Sequence, residues 1–238
     1  MRDIAAQLLD RHVAERDYAI ASIIGIGGSA PRPVGSALAV DVDGAVVGSL
    51  TGGFMEGAVY RLCRESLRTG ATTRETFGYS DSDAHAAGLA CGGTIEVFVQ
   101  PVTAANRVTF ESILRSTEPV ALVRDLRNGA AMALGSWWTV GDSFGRAVVT
   151  EARALLAAGA TTVRTVRCAD GAREIFVETC RAHEDRRSRP MIGRVLGGRT
   201  PAETPVSIFA EKAAVHRGGS VLPLSAVGGP VGRDSFPV

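Results

Sequence analysis

The chain has 238 residues, 45% of them hydrophobic and 21% charged, with a formal net charge of +1. That is enough for one large domain, or a domain with an appendage, of ordinary globular composition. The near-neutral charge argues against a nucleic-acid or anionic-membrane partner, and an aromatic content of 5% argues against a base-stacking platform. Cys63, Cys91, Cys168 and Cys180 show no CxxC or Cys/His metal spacing. The start, Met1 to Glu15, is charged and amphipathic, unlike a signal peptide, and no apolar run approaches the ~20 residues that span a bilayer. The sequence therefore predicts a cytoplasmic protein with reduced thiols, no integral membrane segment and no nucleic-acid partner.

Ile4, Ala5, Leu8, Leu9 and Val13 recur at helical spacing and predict a helix over 2–15. Tyr18 to Ile24 reads as a strand, followed by Gly25-Ile26-Gly27-Gly28-Ser29 and Ala30-Pro31-Arg32-Pro33. Glycines after a strand invite a dinucleotide fingerprint, but that motif needs a helix to start there, and two prolines make a stiff loop instead. Arg32, between those prolines, has little conformational freedom to lose on binding an anion, and is equally read as a solvated loop residue. Ser36 to Val42 and Ala45 to Leu50 form a hairpin around Asp43-Gly44. After Thr51-Gly52-Gly53-Phe54, a stripe of Met55, Val59, Leu62 and Ser66 predicts a helix closed by Gly70, with Cys63 in the core. A glycine pair at a helix start leaves backbone N–H groups facing outward, either as an anion cradle or as a plain tight turn. Glu56, in the first turn, complements the helix dipole or serves as a site carboxylate.

Thr73 to Phe77 is a further strand. Ser80 to His85 reads as a capped helix start; Asp81, Asp83 and His85 are close enough for a metal, though helix starts collect the same residues. Next comes Gly88-Leu89-Ala90-Cys91-Gly92-Gly93, leading into a strand over Thr94 to Val99. Cys91 precedes two glycines that leave it unshielded and let a ligand approach the backbone. The alternative is a small buried hydrophobe in a turn.

The second half repeats the first. Gly159-Ala160-Thr161-Thr162 mirrors Gly70-Ala71-Thr72-Thr73, and Glu174-Ile175-Phe176-Val177 mirrors Glu96-Val97-Phe98-Val99. The helix Val148 to Ala158 corresponds to Met55 to Thr69, and the strand Val120 to Asp125 to Tyr18 to Ile24. The expected fold is α/β, with a mixed sheet shared by two similar half-units of about 1–101 and 102–181, and with residues 182–238 supplying a linker, a closing helix and a loose tail. The second half lacks the Pro-Arg-Pro loop, the glycine pair and the Cys-Gly-Gly stretch. What the halves share reads as scaffold, and what is unique to the first reads as the site. Cys168 and Cys180 then count as structural.

Gly28-Ser29-Ala30-Pro31-Arg32, Gly48 to Gly53 with Glu56-Gly57, and Gly88-Leu89 with Cys91-Gly92-Gly93 resemble the amino-terminal domain of the XdhC/CoxI family. These are accessory proteins of xanthine dehydrogenase and carbon monoxide dehydrogenase maturation. Gly197 to Glu203, Ser207-Ile208 and Ala210-Glu211 resemble the closing helix of the same proteins. The resemblance implies a chaperone, not a catalyst of its own, that binds molybdenum cofactor (molybdopterin) as cargo and hands it to a molybdenum hydroxylase apoenzyme. A cysteine desulfurase and a second copy of the chain are further implied partners. The implied cofactor-binding residues are Gly28, Ser29, Arg32, Gly52, Gly53, Glu56, Cys91, Gly92 and Gly93. A thiolate at Cys91 would be a soft molybdenum ligand or sulfur relay. Two departures stand out. The Rossmann domain usual before the closing helix is nearly absent, so NAD(P) is not expected, and Phe54 stands where relatives commonly carry a second cysteine. Cys91 is expected to be open to alkylation and Cys63 closed. The rival readings are an enzyme with Cys91 as nucleophile acting on a small anionic substrate, with His85 as the nearby base, and a degenerate subunit that pairs with a full-length relative.

Overall fold

The computed structural model describes residues 1, 4–51, 55–79, 93–169 and 171–180, all within the first of two units into which the chain divides, Met1–His183. Among these residues are four helices and ten strands in two strictly repeated halves. The first half comprises α1 (Ala5–Val13), β1 (Tyr18–Gly28), β2 (Ala37–Asp41), β3 (Val46–Gly48), α2 (Glu56–Thr69), β4 (Thr73–Tyr79) and β5 (Gly93–Val102). The second comprises α3 (Arg107–Leu114), β6 (Val120–Asp125), β7 (Ala131–Leu134), β8 (Thr139–Gly141), α4 (Arg146–Ala158), β9 (Thr162–Cys168) and β10 (Gly171–Cys180).

The α/β class and the two half-units are as the sequence implies, but the halves do not share a sheet. Each builds its own antiparallel five-stranded sheet, ordered β3-β2-β1-β5-β4 and β8-β7-β6-β10-β9. The register repeats residue for residue: Ser22 faces Ala37 and Phe98 as Arg124 faces Ala131 and Phe176, and Thr73 faces Val99 as Thr162 faces Val177. The helix stops repeat too, since Gly70 and Gly159 both take left-handed caps (φ 73° and 66°), a conformation that costs glycine little.

Strand alternation sorts the core into layers. Ala19, Ala21, Ile23, Val97 and Val99 pack outward against Met55, just before α2, and Val59 and Cys63 within it. Ala121, Val123, Ile175 and Val177 pack against Val148, Ala152 and Leu155 of α4. The opposite faces meet each other: Tyr18, Ile20 and Val102 share a cluster with Val120 and Leu122, joined by Leu8 of α1 and Phe110 and Ile113 of α3. The order is helix, sheet, sheet, helix. A shared sheet would have left both inner faces to be covered by helices; here each sheet covers the other.

Polar groups sit at the centre of that inner layer. Arg124 is fully buried, with its guanidinium carbon 5.7 Å from the Phe98 ring centre and 5.1 Å from that of Phe176, two rings that occupy equivalent positions in the halves. Its Nη2 donates to Ser22 Oγ at 2.8 Å and pairs with Glu178 Oε2 at 3.3 Å. Burial pushes the guanidinium pKa down, opposed by the Glu178 carboxylate. Glu178 Oε1 also accepts from the Met1 amino group at 2.7 Å.

Several elements differ from the sequence reading. α1 is shorter than 2–15. β1 continues through the glycines to Gly28, pairing Gly25 to Gly28 with Glu96 to Gly93 across a bulge. The β2–β3 hairpin turns at Gly44 (φ 87°), with Asp41 Oδ1 accepting from the N–H groups of Asp43 and Ala45. α3, β7 and β8 were not foreseen. The predicted helix start at 80–85 and the closing helix lie outside the described residues.

Candidate functional site

Within the first sheet, β1, β3 and β4 run one way and β2 and β5 the other. The connections 29–36, 49–55 and 80–92 therefore all leave from one end of the sheet. The described parts of the Gly28–Arg32 and Gly48–Glu56 motifs, together with Gly93, lie at that end. The second half answers with shorter connections there: 126–130, 142–145 and 169–170. The extra backbone of the first half is thus concentrated at the site end, where loops on a rigid scaffold commonly carry function.

Gly93 knits two of the motifs together. It pairs with Gly28 on one side and Tyr79 on the other. A Cβ on Gly93 would collide with Ser29 O and lie 2.8 Å from Gly27 O and 3.0 Å from Ser29 N. Only glycine lets the start of β5 lie this close to the Gly28-Ser29 corner, which itself needs positive φ at Gly28 (75°). Gly93 and the Gly28-Ser29 corner are therefore in direct backbone contact. Cys91 and Gly92 lie outside the described residues. Arg32 is half-buried in the loop, which returns to the sheet through Ser36 N to Pro33 O (3.1 Å) and Gly35 N to Ile23 O (2.9 Å). Because β1 turns straight into antiparallel β2 and no helix follows it, this segment is not a dinucleotide-binding turn.

Glu56, read as dipole complement or site carboxylate, has a more specific place. Its Oε1 accepts from Ser49 Oγ (2.6 Å), Leu50 N (3.2 Å) and Thr51 N (2.9 Å). Its Oε2 accepts from Thr51 Oγ1 (2.8 Å) and Met55 N (3.1 Å), and Met55 N also reaches Thr51 Oγ1 at 3.0 Å. Burial alone would raise this carboxyl, but the hydrogen bonds from Ser49 and Thr51 outweigh it and hold the pKa at about 2. A depressed carboxylate stabilises the fold fully above its unfolded value near 4.5, and that contribution is lost only as pH falls through about 2. The backbone donors of Leu50, Thr51 and Met55 are therefore occupied by the protein's own anion. Gly52 and Gly53, the other half of the expected cradle, lie outside the described residues, as does Phe54. Sequence reading missed Ser49 and Thr51 as partners of Glu56; two hydroxyl residues shortly before a first-turn glutamate were the available signal.

Cys63 is fully buried under the first sheet and burial pushes its thiol up to about 12, so it is inert as expected. Cys168 and Cys180 are part-buried. No cluster of three or more His, Cys, Asp or Glu side chains suited to a metal occurs among the described residues, and Asp81, Asp83 and His85 lie outside them. No helix among the described residues is long and apolar enough to cross a membrane.

A first half-unit with three elaborated connections at one sheet end, paired with a plain copy of itself, defines an α/β protein with a single specialised end. Residues 12–78, from the end of α1 almost through β4, match the XdhC and CoxI family. No curated protein matches the chain. A crystal structure of a xanthine dehydrogenase from Bacillus halodurans has a similar fold, with TM-score 0.50 and 21% identity over 59% of this chain and 45% of that one. This chain thus covers less than half the length of that protein.

Proposed function

We propose that the protein is an accessory factor of a molybdenum hydroxylase that carries molybdenum cofactor as cargo at the specialised end of its first half-unit. The observation that carries this reading is the packing of Gly93 onto Ser29, at the corner from which the Pro31-Arg32-Pro33 loop departs; Cys91 stands two residues before Gly93 in the sequence. A soft thiolate at Cys91 and the cation of Arg32 suit, by residue type, a cargo that is a metal dithiolene at one end and a phosphate at the other. The family match over 12–78 supports the accessory role, since it spans the Ser29–Arg32 and Ser49–Glu56 segments. In this reading Arg32 takes the anionic tail and Cys91 approaches the metal. A molybdenum hydroxylase apoenzyme receives the cargo, a cysteine desulfurase is a further partner, and NAD(P) has no role. The enzyme alternative names His85 as its base, which lies outside the described residues; the histidine within them, His12, is buried and 3.4 Å from Tyr18 Oη in the inner layer.

The test is anaerobic titration of the purified chain with molybdenum cofactor, beside Cys91→Ala and Arg32→Ala. Stoichiometric binding that weakens about tenfold or more in each variant is expected, a loss of ~1.4 kcal/mol or more. Wild-type protein that binds no cofactor would overturn the reading.

A further inference from the structure

We propose that Glu56 is a positioning residue: it holds Ser49–Thr51 and Met55 together in the form that cargo binding requires and does not itself touch the cargo. This rests on reading the first half-unit as a cofactor-carrying end.

Among the described residues Glu56 draws five donors from four residues, Ser49, Leu50, Thr51 and Met55, so its carboxylate ties Ser49–Thr51 and Met55 to the first turn of α2. Thr51 completes the clasp, passing a hydroxyl proton to Glu56 Oε2 while its oxygen accepts from Met55 N. A carboxylate committed to this many protein donors has little capacity left for an outside ligand, and its negative charge would oppose an anionic cargo in direct contact.

The second half-unit supplies an internal control. Counting back from the left-handed caps Gly70 and Gly159, Val59 matches Val148 and Met55 matches Phe144, both of the latter 8% exposed. Glu56 then falls on Gly145. The same strand-to-helix connection is made there by residues 142–145 with no carboxylate at that position. The strand-to-helix step of this fold is thus made in the second half without a carboxylate at that position.

The experiment is a double-mutant cycle on the full chain, read by cofactor affinity and by amide hydrogen exchange. Glu56→Gln keeps the size of the side chain but replaces acceptor lone pairs with donors that face other donors. It should speed exchange at Leu50, Thr51 and Met55 about a hundredfold, leave β6 and β10 amides unchanged, and weaken cofactor binding about tenfold. Thr51→Val should weaken binding similarly, Thr51→Ser should behave as wild type, and Glu56→Gln with Thr51→Val should be no weaker than Glu56→Gln alone. Additive losses would mean that Glu56 contacts the cargo directly, and unchanged exchange in Glu56→Gln would mean that the clasp does not hold the loop; either overturns the proposal. Should Glu56→Gln fail to fold, Glu56→Asp, too short to reach both sides, gives the same readouts. Wild-type protein that binds no cofactor would remove the carrier reading, while the exchange arm would still decide whether Glu56 holds the loop.

Discussion

Replacing Glu178 with Gln is expected to lower the unfolding free energy by about 3–5 kcal/mol, the usual cost of leaving a buried charge without its counter-ion. Glu178 is 2% exposed and sits where the two sheets meet, accepting from Arg124 Nη2 and from the Met1 amino group. The amide would keep the shape but remove the charge and present N–H groups to donors. Arg124, fully buried between Phe98 and Phe176, would keep Ser22 Oγ and the faces of two rings, which compensate only partly. For a domain of this size such a loss lowers Tm by on the order of 10 °C. Arg124→Met should cost distinctly less. Arg124 Nε and Nη1 have no hydrogen-bond partner among the described residues, so the arginine already carries uncompensated desolvation, and Glu178 would retain the Met1 amino group. Denaturant titrations of the two variants check the order. Arg124→Met as damaging as Glu178→Gln would mean that packing between the rings, and not charge, holds the halves together.

The second large effect is expected at Gly93. An alanine there must push its Cβ into Ser29 O and Gly27 O, backbone atoms of a paired strand that cannot rotate away as a side chain can. Overpacking of this kind costs about 3 kcal/mol, near the top of its usual range. Here the displacement falls on the Ser29–Arg32 loop, so cofactor binding should be lost even where the protein remains folded. Gly57→Ala is the matched control. Gly57 lies in α2 with nothing within 4 Å of an added Cβ, so the change should be neutral or stabilise by up to ~1 kcal/mol and leave binding intact. Thermal melts and the cofactor titration together check this pair. Gly93→Ala protein that melts and binds as wild type would show that the close approach of β5 to Ser29 is dispensable.

Much of the scaffold could be read from local signals. Gly70 and Gly159 announced the two helix stops, and the matching Glu-Val/Ile-Phe-Val runs announced β5 and β10, because caps and alternation depend on neighbours in sequence. The pairing of the halves could not be read this way. Whether Tyr18, Ile20 and Phe98 meet a helix or another sheet depends on contacts across the chain, and the polar pairs Ser22/Arg124 and Gln100/Glu178 made the inner faces look less buried than they are. β1 was cut short for a related reason: Gly25 to Gly28 have weak intrinsic strand preference, and only the β5 ladder holds them extended. α3, β7 and β8 could have been found by carrying the repeat through, since α1, β2 and β3 stand at the equivalent places. At the candidate site, the residues picked out by type fall, where they are described, at one end of the first half. The hydrogen bonds of Glu56 did not show, because their donors, among the described residues, lie in a connection that no periodicity describes.

Hydrogen exchange of the full chain, with and without bound molybdenum cofactor, reports directly where the cargo sits. Cargo held at the first half-unit predicts slowed exchange at Ser29–Gly35 (excluding the prolines), Ser49–Met55 and Gly93–Ile95, and none at the equivalent stretches 126–130, 142–145 and 169–171 of the second half. Protection centred on the second half-unit, or spread evenly over both, would contradict it.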